Sequence, residues 1–237
     1  MLVSTGRRAG RSHRDRQIPC QDAYAVHRMM DGSQVAAAVA DGLGSRPLSH
    51  EGSEASAKAA AASLGASKRW GPAAVHRAFR AARSAIERRA RELGASPHDL
   101  ATTLQVVGLS STKVIAGIVG DGAVLCGGTE PRILLGPEDS EYANQVVPIT
   151  DPNWRDHLRI ATTTDVTQVY AFTDGLTRLL LARRARSWTP YEPFFQAFQP
   201  KLQPKTFHEE LVPRFLDTDA VDAAWDDDKC LVVMGLD

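Results

Sequence analysis

The sequence predicts an α+β fold, a four-layer α-β-β-α sandwich in which two antiparallel sheets pack face to face between helices. Three observations carry this expectation. Short apolar segments separated by Gly, Asp and Ser turns form two β-rich groups at hairpin spacing, which leaves no room for alternating βαβ units. Alanine- and arginine-rich stretches of helical period lie between the groups, and further helical stretches precede the last strand. No repeat or low-complexity linker divides the 237 residues, so one domain over residues 1–237 is the economical reading.

Residues 1–21 read as polar and irregular. A strand is expected over 22–30. Asp31-Gly32 is a hairpin turn, and 34–40 is the return strand. Antiparallel pairing would bring Asp22 and Asp41 to the same end. Residues 53–64 read as a helix, with Glu51 and Glu54 near its positive end and Gly65 as its stop. A second helix is expected over 72–93, opened by Pro72 and closed by Gly94. Its apolar positions Val75, Phe79, Ala82 and Ile86 would lie on a core, and its arginines would form a solvated face. Strands follow at 101–109, 114–119, 123–126 and 132–135. Residues 136–165, with Pro137, Pro148 and Pro152, read as a long connection or flap. Then come a strand at 166–173, helical segments at 176–184, 190–198 and 207–216, and a last strand at 230–234. Phe194, Phe195 and Phe198 at helical spacing belong to a core.

Lys+Arg and Asp+Glu are both 28, which gives no reason to expect nucleic acid or a membrane surface as partner. Arg7, Arg8, Arg11, Arg14 and Arg16 crowd the first sixteen residues, and either a solvated arm or a phosphate-facing one fits them. Cys20, Cys126 and Cys230 suit neither a disulfide framework nor a zinc site, and packing is the expected role of Cys20 and Cys230. No run approaches the ~20 apolar residues of a membrane span, and no signal peptide is visible. The expectation is a soluble chain in a reducing compartment, most simply the cytoplasm.

Three apolar runs end in Asp-Gly: Val39-Ala40-Asp41-Gly42, Val119-Gly120-Asp121-Gly122 and Phe172-Thr173-Asp174-Gly175. One Asp-Gly alone is ordinary turn chemistry, and Asp31-Gly32 is read so. Several carboxylates gathered without counter-charge would repel and rise in pKa, and divalent metal removes that cost. Asp22 and the run Asp226-Asp227-Asp228 add candidates at other strand edges.

The order of motifs resembles the metal-dependent protein phosphatase 2C (PPM) family, in a version similar to its compact bacterial branch. The matching pieces are Ser12-His13, Pro19-Cys20-Gln21-Asp22-Ala23, Val39-Ala40-Asp41-Gly42-Leu43-Gly44, Ala101-Thr102-Thr103-Leu104, Val119-Gly120-Asp121-Gly122, Phe172-Thr173-Asp174-Gly175-Leu176 and Asp227-Asp228-Lys229-Cys230. The resemblance implies the same sandwich and a Mn²⁺- or Mg²⁺-dependent phosphatase acting on phosphorylated Ser/Thr proteins, with a cognate Ser/Thr kinase. It implies two ions, with a third weaker one, and in-line attack by a metal-bridging water. Asp41 would bridge the two ions, with the Gly42 carbonyl on the second. Asp174 and Asp227 would complete the first, Asp121 with Asp174 would hold the third, and Asp22 would act through waters. Three positions depart from the pattern. Gln21 stands where many members have Glu, and Leu43 where eukaryotic members place a histidine. Gln17 stands where the phosphate-binding arginine is usual, so Arg16, and next Arg14, become the substitutes. Two other readings stay open: a pseudophosphatase that binds a phosphoprotein or partner without turnover, and a phosphoesterase acting on small molecules.

Overall fold

In the computed structural model, which describes residues 1–128, 130–137, 146–184 and 187–237, period-two alternation sorts the strand residues onto two faces. The elements in chain order are β1 (Leu2–Arg8), α1 (Arg11–Asp15), β2 (Asp22–Arg28), β3 (Gln34–Asp41), α2 (Ser49–Gly65), α3 (Pro72–Leu93), β4 (Leu104–Ser110), β5 (Val114–Val119), β6 (Ala123–Gly127) and β7 (Arg132–Leu135). They continue with β8 (Arg159–Thr163), β9 (Gln168–Phe172), α4 (Thr177–Leu180), β10 (Leu181–Arg184), β11 (Ser187–Pro190), α5 (Glu192–Phe198), α6 (Leu211–Leu216), α7 (Asp219–Ala224) and β12 (Lys229–Gly235). One sheet runs β2-β3-β4-β5-β8 and the other β1-β12-β9-β6-β7, while β10 and β11 form a separate hairpin.

Val35, Ala37 and Val39 of β3 face the other sheet and pack with Val107, Ile118, Val169, Ala171 and Val232. The alternate residues Ala36, Ala38 and Ala40 face outward against Ala57, Ala60, Val75 and Phe79 of α2 and α3. Alanine on both sides of that contact lets α2 lie close to the sheet. On the second sheet the outward residues Tyr170 and Phe172 of β9 meet Phe194, Phe195, Phe198 and Leu216. Tyr170 and Phe195 contact edge to face at 5.1 Å, so the phenylalanines are core, as their spacing predicts. Three apolar interfaces between four layers realise the expected sandwich, and each fully buried Val, Leu or Phe contributes roughly 1.5–3 kcal/mol. The long helix keeps its predicted bounds, with Gly94 as its left-handed cap. Its arginines are not all free: Arg89 bridges to Glu51 of α2 at 2.8 Å, and Arg83 donates to the carbonyls of Ile149 and Asp151.

Four expectations need correction. The N-terminal stretch is not irregular, because Leu2–Arg8 is an edge strand paired along its length with β12. Its alternation is hidden because Gly6, not a large apolar residue, sits beneath Leu216 and Val212. Within the supposed connection 136–165, β8 pairs with β5, while Ile149 and Trp154 are buried in the core. Residues 138–145 of that connection lie outside the described residues, and the flap reading with them. The helix expected over 176–184 stops at Leu180, and Leu181–Arg184 turns back as a strand on Ser187–Pro190. The segment expected over 207–216 is helical only from Leu211, and α7 follows.

Candidate metal centre

The ends of four strands, three from one sheet and one from the other, build the site. Asp22 opens β2 and Asp41 closes β3, and the register sets them directly opposite each other. The backbone of Asp41 is fixed by its neighbour strand. Its carbonyl accepts from Thr103 N–H at 2.8 Å and from Thr102 Oγ1 at 2.7 Å, and its own N–H donates to Thr103 Oγ1 at 3.2 Å. Thr102 and Thr103 therefore hold the turn, as expected of sheet residues. Gly42 passes so near α2 that a Cβ there would lie 2.8 Å from the Ser49 backbone, which no side chain tolerates. Asp121 follows β5, and Asp174 follows β9 at the start of a short 3₁₀ turn, Asp174–Leu176.

These turns converge. Asp41, Asp121 and Asp174 each offer a carboxylate oxygen, and the three atoms lie within 4.8 Å of one another. Burial, then the charges of Asp121 and Asp227, push the Asp174 carboxyl up to about 7, against hydrogen bonds from Asp41 and the Gly175 N–H. Burial, followed by Asp22, Asp174 and Asp121, holds Asp41 well above the ordinary carboxylate range. Burial likewise raises Asp22 and Asp121. The Oδ1 atoms of Asp22 and Asp121 are buried without a hydrogen-bond partner, and among the described residues no Arg or Lys pairs with the trio. Oxygen donors of this hardness, unneutralised and with orphaned atoms, fit a divalent cation such as Mn²⁺ or Mg²⁺.

The other candidates fall in different places. Asp22 is buried beside the trio, and its Oδ2 accepts from Thr173 Oγ1 at 2.7 Å. That hydroxyl in turn accepts from Cys230 N–H at 2.9 Å. Asp227 is exposed and outside the trio, although its charge raises all four neighbouring carboxylates. Asp228 is the buried member of its run: Gly10 N–H donates to it at 2.7 Å, Gln21 N–H at 2.5 Å and His13 Nδ1 at 2.9 Å. His13 is thus held structurally. Arg14 is paired with both Asp222 oxygens, at 2.7 and 2.9 Å. Arg16 is exposed, and its Nε donates to the Ser12 carbonyl at 3.0 Å. The N-terminal arginines are chiefly sutures rather than a free arm, since Arg7 reaches Glu54 and Arg8 reaches Asp217 and Asp222. Burial raises the thiols of Cys20 and Cys230, which suits packing and not reactivity. Sequence reasoning misses Thr173 and the role of Asp228; the only signal for either is adjacency to Asp174 or Asp227.

Unneutralised aspartates gathered at one end of a two-sheet sandwich define a candidate divalent-metal site. The family model of protein phosphatase 2C matches residues 9–217. Serine/threonine-protein phosphatase 3 of Escherichia coli (strain K12) is 31% identical over 241 residues, covering 94% of both chains. The chain belongs to the protein phosphatase 2C family and is a phosphoprotein phosphatase. A crystal structure of a bacterial serine phosphatase superposes with a TM-score of 0.69 at 12% identity, covering 100% of this chain and 98% of that one. The serine/threonine phosphatase Stp1 from Staphylococcus aureus does so with 0.64 at 13% identity, over 100% and 96%. At these identities the two structures speak to the fold. Among the described residues no helix is long and apolar enough to cross a membrane.

Proposed function

We propose that this chain removes phosphate from serine and threonine side chains of proteins, with Mn²⁺ or Mg²⁺ held by Asp41, Asp121 and Asp174. The convergence of those three carboxylates within 4.8 Å carries the reading. In it, Asp41, Asp121 and Asp174 would be the carboxylate ligands, and the Gly42 carbonyl and Asp227 would add further oxygens. When bound, the cations acidify water and offset charge on the phosphoryl oxygens. Asp22, with one oxygen fixed by Thr173 and the other unpartnered, is placed to accept a hydrogen bond from water within the site. Arg16, the less committed of the two candidate arginines, orients the incoming phosphate through its guanidinium edge. No side chain at Leu43 can protonate the leaving serine oxygen, so solvent in the site supplies that proton. A binding module without turnover has no use for so much unneutralised charge, which sets the pseudophosphatase reading aside. The phosphoproteins it consumes are products of a serine/threonine kinase, and a reducing compartment suits its three free cysteines.

The test is phosphate release from a phosphoserine peptide by the whole chain. Release should need added Mn²⁺ or Mg²⁺, stop in chelator and fall by more than about a hundredfold in Asp174→Asn. Undiminished release by a folded Asp174→Asn would overturn the proposal.

A further inference from the structure

Arg178 and Trp225 form a pair that the chemistry above does not use. Arg178 lies four residues after Asp174, along a 3₁₀ turn that runs directly into α4. Trp225 lies two residues before Asp227. Lys229 Nζ ties this segment down by donating to the Trp225 carbonyl at 2.6 Å and to the Asp227 carbonyl at 2.7 Å. The two segments are pressed together: a Cβ on Gly175 would lie 1.9 Å from the Asp228 carbonyl oxygen. Along this seam the guanidinium carbon of Arg178 sits 3.6 Å from the centre of the Trp225 ring. Trp225 is 39% exposed, one of few large apolar side chains left on the surface.

Stacking uses the face of the guanidinium and leaves its in-plane N–H edge open. Among the described residues no carboxylate pairs with Arg178, although Asp174 stands four residues before it and Asp227 two residues after its ring partner. Asp226, the nearest acid in sequence to Trp225, is turned to Arg11 at 3.8 Å. An exposed cation held in one orientation beside a site for an anionic substrate has a ready use.

We propose that Arg178, oriented by Trp225, is a specificity-determining residue that binds an oxyanion of the phosphoprotein substrate. Two sources share that chemistry, the phosphoryl group itself and a carboxylate flanking the phosphorylated residue, and the fork of Arg178 matches either. The inference rests on the phosphatase reading above.

The experiment compares wild type, Arg178→Gln, Trp225→Phe and Trp225→Ala with Mn²⁺ on three substrates. These are p-nitrophenyl phosphate, a phosphoserine peptide with neutral flanks and one with acidic flanks. Wild-type turnover of p-nitrophenyl phosphate checks the phosphatase reading alone. Arg178→Gln should raise KM by about tenfold with kcat little changed, as loss of one charge-assisted contact implies. A rise confined to the acidic peptide assigns the contact to the flanking carboxylate. An equal rise on all three assigns it to the phosphoryl group. Trp225→Ala should reproduce the Arg178→Gln pattern, whereas Trp225→Phe, which keeps an aromatic face, should stay near wild type. Unchanged KM for all three substrates in Arg178→Gln overturns the proposal, and so does a Trp225→Ala variant indistinguishable from wild type.

Discussion

Asp41, Asp121 and Asp174 are like charges that the fold forces together, and this has consequences before any substrate is added. Asp174→Asn removes one charge from the trio. In chelator it should raise the melting temperature by several degrees, on the order of 1–2 kcal/mol, while abolishing turnover. Asp41→Asn should lose tight Mn²⁺ binding in calorimetry together with activity, whereas Asp121→Asn should keep the tighter ions. The trio is legible in the sequence because each member ends an apolar run, and a carboxylate there cannot be neutralised by its own strand. Thr173 is not legible. Its hydroxyl joins Cys230 N–H to Asp22 across a sequence separation of more than fifty residues, and nothing local marks such a link. Thr173→Val should cost about 1–3 kcal/mol in urea unfolding by leaving Asp22 without its one fixed donor.

Among the elements, the first and last strands close the second sheet, and Asp228 fastens the chain between them. It takes backbone N–H groups from Gly10 and Gln21 on either side of α1. Asp228→Ala should orphan both amides and cost roughly 2–4 kcal/mol, read as a lower urea midpoint and faster amide exchange at Gly10 and Gln21. Element existence is legible where one face is continuously apolar, as in β3 and α3. It fails for β1 and β8, edge strands whose inward positions carry few large apolar residues, and for β10, where Leu179-Leu180-Leu181 continues the helical pattern into a strand. Among Asp226, Asp227 and Asp228 the resemblance singles out Asp227, but the buried one is Asp228, because the direction of the backbone decides which carboxylate turns inward.

Over the whole molecule, the raised carboxylates set how stability depends on pH. A carboxyl whose folded pKa is raised binds its proton more tightly when folded. Stability of the chelated protein is therefore fullest below the ordinary Asp value, and it is lost as pH climbs toward about 7, where Asp174 ionises. Calorimetric melting in chelator should give a lower temperature at pH 8 than at pH 5. Added Mn²⁺ should raise it more at pH 8, where protons no longer compete for the oxygens. The four-layer order is legible because alternation, helical period and turn chemistry agree along most of the chain. The strand order is not, since it depends on which edges meet. The most direct test of the central claim is anomalous diffraction at the manganese edge from crystals grown with Mn²⁺. The account predicts density for at least one ion bound by Asp41 and Asp174, lost in Asp41→Asn crystals; a Mn²⁺-saturated crystal with no ion among Asp41, Asp121 and Asp174 would contradict it.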